Sequence, residues 1–436
     1  MHFREVQRSM ALVIQRCLTA NTQDLPQEAI FDRLQQSRID FALALLQRLV
    51  EIESRGTEVF EVLSVVWEAI RARGTTYENA LIHNDTDYYR SLLNVLFLAL
   101  QFHVDRASRA SPEAVSKKPH ISYDLPLVLE VIKIVIAQGF RSLTTYLHDE
   151  PEKCSPKDFA ILNAILQTAL QVKNAERIYE RIVFHIADND TTRYAMTLFS
   201  WSDRLTVEGD PVYGELSILF LVQLSTVPLL AEHLAVEGVF MKLSTCRLLN
   251  ILQQGKGCGP FDPIPRLYSI WTGGILPLCL NLLYHVPQAA PEVSAFLNQF
   301  EGQLNRAADG LAGVHATTAS PHSAPKISLS MASEVYSLTL ISFILQRLRD
   351  AGPSAGLDSQ AVQELRWDIA HVKDDLEELL GRRPLLRTRL IATSENELEL
   401  AKQKPVNVAS GAENRLEERI VSELDAALVC VGGGED

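Results

Sequence analysis

Residues 39–50 read IDFALALLQRLV, and apolar side chains recur in this stretch every three or four positions. The apolar positions that share one side of an α-helix are Ile39, Ala42, Leu43, Leu46, Leu49 and Val50. Polar residues occupy the other side. The same spacing recurs along almost the whole chain, and no segment shows the alternation of a strand or a hairpin turn between β-branched runs. The sequence therefore predicts an all-α protein with roughly seventeen helical segments.

Helices that are apolar on several faces alternate with helices that are apolar on one face. Residues 92–100 (LLNVLFLAL) and 127–140 (LVLEVIKIVIAQGF) are apolar nearly all round, whereas 361–380 and 413–429 have one apolar side. Stacked helix pairs produce such an alternation, and armadillo or HEAT repeats use about 40–47 residues each. The sequence therefore predicts one continuous α-solenoid over residues 1–436, with about eight helix pairs. No signature recurs at a fixed period, so an irregular all-α globule is the alternative.

Two stretches interrupt the helical pattern. Residues 106–122 and 307–330 are rich in Ser, Ala, Pro and His. Such compositions are typical of connections on the protein surface, and we expect both stretches to be mobile loops.

Composition and charge exclude several classes of protein. Of the 436 residues, 47% are hydrophobic and 22% are charged, which is too apolar for a disordered chain. Six cysteines without a C-x-x-C pair argue against a disulfide scaffold and a cysteine zinc site. The 41 basic and 54 acidic residues give a net charge of -13, which disfavours nucleic acid as a partner. The N-terminus has no targeting pattern, and no segment holds about 18 consecutive apolar residues, so we expect an intracellular chain without a membrane span.

We find no motif for catalysis or for a cofactor. The stretch 255–260 (GKGCGP) is rich in glycine but lacks the Lys-Ser or Lys-Thr ending that a phosphate-binding loop needs, and we interpret it as a flexible connector. The eleven histidines are scattered without metal-ligand spacing. Cys279 lies in a leucine-rich segment, which is typical of a buried, unreactive thiol. The sequence predicts no enzyme activity, no catalytic residue, no cofactor, no metal site and no small-molecule substrate.

A regular apolar seam marks the helix predicted over residues 361–380. Its members are spaced three and four residues apart, as at the a and d positions of a coiled coil. They are Val362, Leu365, Ile369, Val372, Leu376 and Leu379. The seam either packs on the end of the solenoid or binds a partner helix, and the sequence leaves both interpretations open. The last helix repeats the spacing, so we expect the helices in 361–436 to cap the array. Its apolar members are Leu416, Ile420, Leu424 and Leu428.

Residues 263–304 predict a helical hairpin. They read PIPRLYSIWTGGILPLCLNLLYHVPQAAPEVSAFLNQFEGQL. The glycines 273 and 274 predict a break in the first helix, followed by a leucine-rich helix that contains Pro277. After a turn, a second helix is expected from about Ala290. The apolar side of the first helix consists of Trp271, Leu276, Leu280 and Leu283. We expect this side to face Val293, Phe296 or Leu297, and Phe300 of the second helix.

The sequence of this hairpin resembles that of a known family. Residues 271–283 (WTGGILPLCLNLL) and 290–300 (APEVSAFLNQF) are similar to the C-terminal part of the large inner-ring scaffold nucleoporins of fungi. The resemblance implies a right-handed superhelix of armadillo- and HEAT-like repeats, similar to the karyopherins. It also implies a structural role in the nuclear pore complex, at the nuclear envelope, in support of protein and mRNA transport. The implied partners are segments of linker nucleoporins and Phe-Gly repeats, held in grooves between helices.

The specific part of the resemblance covers residues 263–304 alone, and it carries over no binding residue, so the peptide-binding groove is not assigned. Full members of the family are several times longer than this chain. We therefore expect a C-terminal piece that ends at or near the natural end of the protein. A soluble karyopherin-like transport receptor or cargo adaptor is the alternative function, because it would have the same fold and acidity. An enzyme with an unrecognised site is a third possibility.

Overall fold

The computed structural model divides the chain into two compact units, Met1–Ala195 and Met196–Asp436. We call them the N-terminal unit and the C-terminal unit. The described residues are 2–432, apart from 22–28, 52–57, 73, 75, 110–123, 254–256, 313–324, 353–357, 359 and 408–410. Within these ranges the backbone is helical or irregular and forms no strand, although two residue pairs make isolated β-bridges. The prediction of an all-α protein is confirmed.

Ten helices lie in the N-terminal unit as far as the structure describes it. They are α1 (His2–Ala20), α2 (Ala29–Glu51), α3 (Glu58–Ala72), α4 (Tyr77–Ile82), α5 (Thr86–Arg109), α6 (Asp124–Val131), α7 (Gly139–Asp149), α8 (Pro156–Leu170), α9 (Tyr179–Asp188) and α10 (Thr191–Trp201), the last of which runs over the boundary. Residues 39–50 lie in α2. Its residues Ile39, Leu46 and Leu49 are fully buried, because this side of α2 packs on α1 and α5.

A buried ion pair joins α5 to the beginning of α8. Ser155 caps α8, and the Asp158 carboxylate accepts the backbone N–H of Ser155 at 3.1 Å, which is the reciprocal arrangement of a capping box. Asp158 is fully buried and accepts two hydrogen bonds from Arg90, at 2.7 Å from Nε and 3.0 Å from Nη2. The Tyr77 hydroxyl of α4 donates to the same carboxylate at 3.4 Å. One side chain therefore both begins α8 and ties it to two other helices.

The segment between α6 and α7 is a π-helical stretch, Ile132–Gln138. Both flanking residues keep right-handed helical dihedral angles, so α6 and α7 run on as parts of one helix. Its side chains Ile132, Val135 and Ile136 are buried. The sequence prediction of a helix that is apolar nearly all round here is confirmed.

Thirteen helices lie in the described part of the C-terminal unit. They are α11 (Val212–Ser225), α12 (Pro228–Val236), α13 (Val239–Ser244), α14 (Asn250–Gln253), α15 (Pro265–Ser269), α16 (Leu276–His285), α17 (Ala290–Leu297), α18 (Glu301–Asp309), α19 (Leu329–Ala351), α20 (Ile369–Gly381), α21 (Arg383–Arg389), α22 (Glu395–Lys402) and α23 (Arg415–Gly432). Most of the two stretches expected to be loops, 106–122 and 307–330, lies outside the described residues. Their mobility therefore stays a prediction.

The predicted break at the two glycines is wrong. A π-helical stretch, Ile270–Ile275, joins α15 to α16, so one helix runs over Pro265–His285. Gly274 allows α11 to lie close to this helix, because a Cβ there would lie 2.5 Å from the Ile218 side chain of α11. The Leu276 N–H donates to the Trp271 carbonyl, five residues back. Pro277, which has no N–H, follows directly after this residue in the first turn of α16.

The two arms of the hairpin meet as the sequence predicts. The Trp271 ring lies 5.3 Å from that of Phe300, and Phe300 lies 5.1 Å from Phe296, measured between ring centroids. Leu276, Leu283 and Val293 are buried with them, whereas Leu280 is half-buried. The aromatic rings at the centre of this core are therefore those that the hairpin pattern selects.

Two helices, Pro265–His285 and Leu329–Ala351, are long and apolar enough to cross a membrane by length and composition alone. In the windows that pass this test, 61% of the first and 39% of the second is buried inside the protein. The core helices of water-soluble proteins pass the same test, so these two helices are weak evidence for a span. They do not indicate a transmembrane protein.

Candidate peptide-binding groove

The helix predicted over residues 361–380 begins later than its seam suggests. The backbone N–H of Gln363 donates to Ser294 Oγ at 3.1 Å, and that of Arg366 donates to Asn298 Oδ1 at 2.8 Å. These bonds to the α17 region hold the segment in an irregular conformation. The Asp368 carboxylate then accepts the His371 N–H at 3.0 Å and caps α20, which starts at Ile369.

The six residues of the predicted seam lie in three different environments. Val372, Leu376 and Leu379 of α20 are buried in one core with α23, whose contributing residues are Leu416, Ile420 and Leu424. Val362 and Leu365 are buried in the irregular segment before α20. Ile369 is 37% exposed. Five of the six seam residues are therefore buried within the unit. Their packing on the end of a solenoid and a role in binding a partner helix both stay predictions.

A groove lies between the C-terminal half of α19 and the segment 363–369. We call it the α19 groove. Its volume is about 210 Å³. One wall consists of side chains that follow each other along one face of α19, namely Ser342, Leu345, Gln346 and Arg349. The other wall consists of Gln363, Glu364, Leu365, Trp367 and Ile369. The groove thus contains two members of the predicted seam, Leu365 and Ile369.

Two polar contacts cross the α19 groove. Trp367 Nε1 donates to Ser342 Oγ at 3.2 Å, and Arg349 Nη1 lies 2.5 Å from Glu364 Oε1. Ser342 and Arg349 are seven residues apart on one helix, which corresponds to about 10 Å along its axis. The apolar side chains Leu345 and Leu365 lie between these two contacts in sequence. This length and volume suit a single large apolar side chain.

A buried carboxyl group fixes α19, which forms one wall of the groove. Glu334 is 3% exposed and accepts hydrogen bonds from the Tyr268 hydroxyl at 2.6 Å, Trp271 Nε1 at 2.7 Å and Gln303 Nε2 at 2.8 Å. Burial raises the pKa of Glu334 above its ordinary value, although the three donors and Arg306 oppose this shift. The sequence analysis missed Glu334, because a single acid in an apolar helix gives no sign of which donors will surround it.

The glycine-rich stretch is held to the same cluster. Gln303 accepts the Cys258 backbone N–H at 2.7 Å and donates to the Cys258 carbonyl at 2.9 Å. Gly257 has a φ of +58°, and a Cβ there would lie 2.6 Å from Gln303 Oε1. The prediction of a flexible connector is therefore wrong for residues 257–259, while 254–256 lie outside the described part of the chain.

Four cysteines are buried thiols. Burial raises the pKa of Cys246 to about 11 and that of Cys154 and Cys258 to about 12, and it raises the pKa of Cys279 further. Thiols with such pKa values stay protonated near neutral pH and are poor nucleophiles. The prediction that Cys279 is buried and unreactive is confirmed.

A second groove lies in the N-terminal unit, between α1 and α2. Its volume is about 370 Å³. It is lined by Glu5, Val6, Ser9, Met10 and Val13 of α1 and by Phe41 and Leu45 of α2. Val6 and Phe41 are exposed, so this groove presents a wider apolar surface than the α19 groove.

The sequence model of one protein family matches residues 62–431, and this family is described as the nuclear pore protein NUP188 C-terminal domain. The chain belongs to this family. The α19 groove lies within the matched residues, whereas the α1–α2 groove lies before them. Nucleoporin NUP188 of Chaetomium thermophilum is 34% identical over 470 residues, which cover 98% of this chain. Nucleoporin nup184 of Schizosaccharomyces pombe is 26% identical over 226 residues, or 51% of this chain.

A solved structure gives the same result. Nup188(aa1445-1827) from Myceliophthora thermophila superposes with a TM-score of 0.67 at 29% identity, covering 94% of this chain and 100% of that one. The helical solenoid class is thereby confirmed, as is the resemblance to large scaffold nucleoporins. The amino-acid sequence of the hairpin resembles nucleoporin 188 more than its paralogue nucleoporin 192. These matches agree with that preference.

Membership of the NUP188 family confirms the nuclear pore complex as the location and a scaffold nucleoporin as the kind of protein. The family is structural rather than enzymatic. The chain spans 24% of the length of the Chaetomium relative and 13% of the Schizosaccharomyces relative. The continuity of one solenoid over residues 1–436, and the capping role of 361–436, stay predictions.

Proposed function

We propose that the chain is a scaffold segment of the nuclear pore inner ring whose inter-helix grooves bind short segments of linker nucleoporins and Phe-Gly repeats. Membership of the NUP188 family supports the scaffold role and not the soluble transport receptor that the sequence leaves as an alternative. The observation that carries the binding role is the α19 groove, a small cleft with both apolar and polar lining residues, within the residues that the family model matches.

The dimensions of the α19 groove favour weak, repeated binding of single aromatic side chains. Burying one Phe gains about 1.5–3 kcal/mol before the cost of ordering the peptide, so one contact alone is weak. Several such contacts along a repeat chain add up through effective concentration, and each still exchanges rapidly. A scaffold that binds in this way supports nucleocytoplasmic transport without stopping the transported molecules.

Retention on immobilised Phe-Gly repeats tests the proposal, with Phe→Ser repeats as the reference. We expect selective, rapidly reversible retention of the 436-residue chain. The variant Ile369→Asp places a charge at the exposed rim of the groove, in the first turn of α20, where an acidic residue is compatible with the helix. It is expected to reduce retention several-fold.

The matched control is Leu398→Asp. Leu398 is also an exposed apolar side chain in the first turn of a helix, α22, but it does not line the groove. We expect this variant to be retained like the unchanged chain. Equal retention on Phe-Gly and Phe→Ser repeats would contradict the proposal. Equal losses in the two variants would contradict the assignment to the α19 groove.

A further inference from the structure

We infer that the α19 groove prefers a peptide in which the large apolar side chain lies next to a lysine or an arginine, and that Glu364 sets this preference. This inference rests on the proposed function and specifies the ligand of the same groove. Glu364 lines the groove, and its side chain is 74% exposed. A carboxylate at this place is available to a bound peptide.

The backbone around Glu364 is held in place. The Glu364 carbonyl accepts a hydrogen bond from Asn298 Nδ2 at 2.9 Å, and the backbone N–H groups of its neighbours Gln363 and Arg366 donate to Ser294 and Asn298. The carboxylate therefore projects from a segment that three bonds fix to the α17 region. Little conformational freedom has to be lost when a ligand binds to it.

The ion pair with Arg349 leaves Glu364 able to bind a second cation. The Arg349 guanidinium lies 2.5 Å from one carboxylate oxygen, Oε1, and its own side chain is 33% exposed. A carboxylate offers about four lone-pair positions on two oxygens. A ligand ammonium or guanidinium group is therefore accommodated on Oε2 while Arg349 keeps its contact. An acidic ligand is less favoured, because Arg349, the one basic side chain among the lining residues, is 33% exposed while the Glu364 side chain is 74% exposed.

The other charges of the two walls do not reverse this preference. Arg347 lies over the ring of Phe343, with 5.2 Å from its guanidinium carbon to the ring centroid, and is not among the lining residues. Arg366, Asp350 and Asp368 are exposed neighbours that do not line the groove either. The net charge of -13 on the whole chain adds a long-range attraction for cations.

Three sets of immobilised Phe-Gly repeats test the inference, with Lys, Gln or Glu as the residue beside each Phe. At low salt we expect retention of the 436-residue chain in the order Lys, Gln, Glu, with about two- to five-fold between neighbours, as for exposed ion pairs. The order is expected to flatten at about 0.3 M salt because the charges are exposed.

The variant Glu364→Gln removes the carboxylate and leaves Arg349 without its partner. The preference for the Lys repeats over the Glu repeats is then expected to be lost. The control Glu377→Gln changes the net charge by the same amount at an exposed position of α20 outside the groove, and it is expected to keep the original order.

Equal retention on the three repeats at low salt overturns the inference. An unchanged order in Glu364→Gln overturns it as well, because the preference would then arise elsewhere. These outcomes leave the proposed function intact as long as the Gln repeats are retained better than their Phe→Ser counterpart. If that difference is also missing, the proposed function fails together with the inference.

Discussion

Glu334 places a carboxyl group in the core of the C-terminal unit among three neutral hydrogen-bond donors. Burial raises its pKa, so the folded protein binds this proton more tightly than the unfolded chain does. The resulting stability is fully present below the ordinary pKa of a glutamic acid and is lost as the pH rises through the raised value. The contribution of this group to stability therefore decreases as the pH rises above that ordinary pKa.

Replacing this acid by its neutral amide is expected to stabilise the protein as the pH rises. In Glu334→Gln the amide oxygen accepts from Trp271 and Gln303, and the amide nitrogen donates to the Tyr268 oxygen. We expect the free energy of unfolding to increase by about 1–2 kcal/mol near pH 8, with a smaller difference near pH 5. Urea unfolding followed by tryptophan fluorescence at the two pH values measures this.

The control for this prediction is Glu334→Leu. It leaves the three donors without an acceptor, so it is expected to destabilise the protein by about 2–4 kcal/mol at both pH values. A Glu334→Gln variant with the same pH dependence as the unchanged chain would show that the carboxyl group does not titrate in this range.

Among the elements, the packing of the joined helix Pro265–His285 on α11 depends on Gly274 and not on the neighbouring Gly273. A Cβ on Gly274 would lie 2.5 Å from Ile218, whereas a Cβ on Gly273 has no atom within 4 Å. We expect Gly274→Ala to destabilise the protein by about 1–3 kcal/mol through overpacking. Gly273→Ala is expected to be neutral or to stabilise by up to about 1 kcal/mol. Thermal unfolding of the pair measures the difference, and equal melting temperatures would contradict the close approach of α11.

The irregular segment before α20 depends on Asn298. Its amide group donates to the Glu364 carbonyl and accepts the Arg366 N–H, so Asn298→Ala leaves both backbone groups without these partners. We expect faster hydrogen exchange in residues 363–368, by a factor that corresponds to about 1–3 kcal/mol. The exposed Asn305→Ala in α18 is the control. Unchanged exchange in Asn298→Ala would mean that the segment is held by other contacts.

These elements show which parts of the structure the sequence could predict. The apolar periodicity of α2, α6 and α23 was sufficient, because a repeated pattern places many side chains on one face at once. The seam residues Val362 and Leu365 fit the same pattern but lie outside the helix. Their backbone is held by Ser294 and Asn298, which are more than sixty positions away in the chain. Local periodicity contains no information about such distant partners.

The prediction that the glycine-rich stretch is a flexible connector was wrong for a related reason. Glycines are used both in flexible connections and where the backbone approaches another group closely. Gly257 is of the second kind, because Gln303 occupies the space of its missing Cβ. The same applies to the α19 groove, whose walls come from α19 and from an irregular segment. A groove of this kind is visible once the two walls are placed side by side.

For the whole molecule, the net charge of -13 predicts weak binding of polyanions as well as attraction of cations. We expect no retention on duplex DNA at about 0.15 M salt, since phosphate binding requires a basic face. Fluorescence anisotropy with a labelled duplex checks this, and a polycationic peptide of the same label is the positive control. Binding of the duplex that weakens steeply with salt would contradict the prediction and reveal a local basic patch.

The family of the whole molecule could be inferred from the sequence because one short hairpin, residues 263–304, has a sequence specific enough to resemble that family. Many residues of the resembling stretches are buried, among them Trp271, Leu276 and Phe300. Buried side chains must fit several neighbours at once, so their identities carry more information than the charged surface does. Binding residues on the surface leave no comparable signature in a single sequence.

The two π-helical stretches, Ile132–Gln138 and Ile270–Ile275, bear on how relatives of this chain diverge. A π turn bonds each N–H five residues back, so it holds one residue more than an α turn. A helix can therefore accept a single inserted residue as such a bulge, while the residues on both sides keep facing the core. Relatives with an ordinary α-helix at these places are expected to be one residue shorter there. Each stretch is thus a place where a helix can absorb an insertion instead of passing it on to a loop.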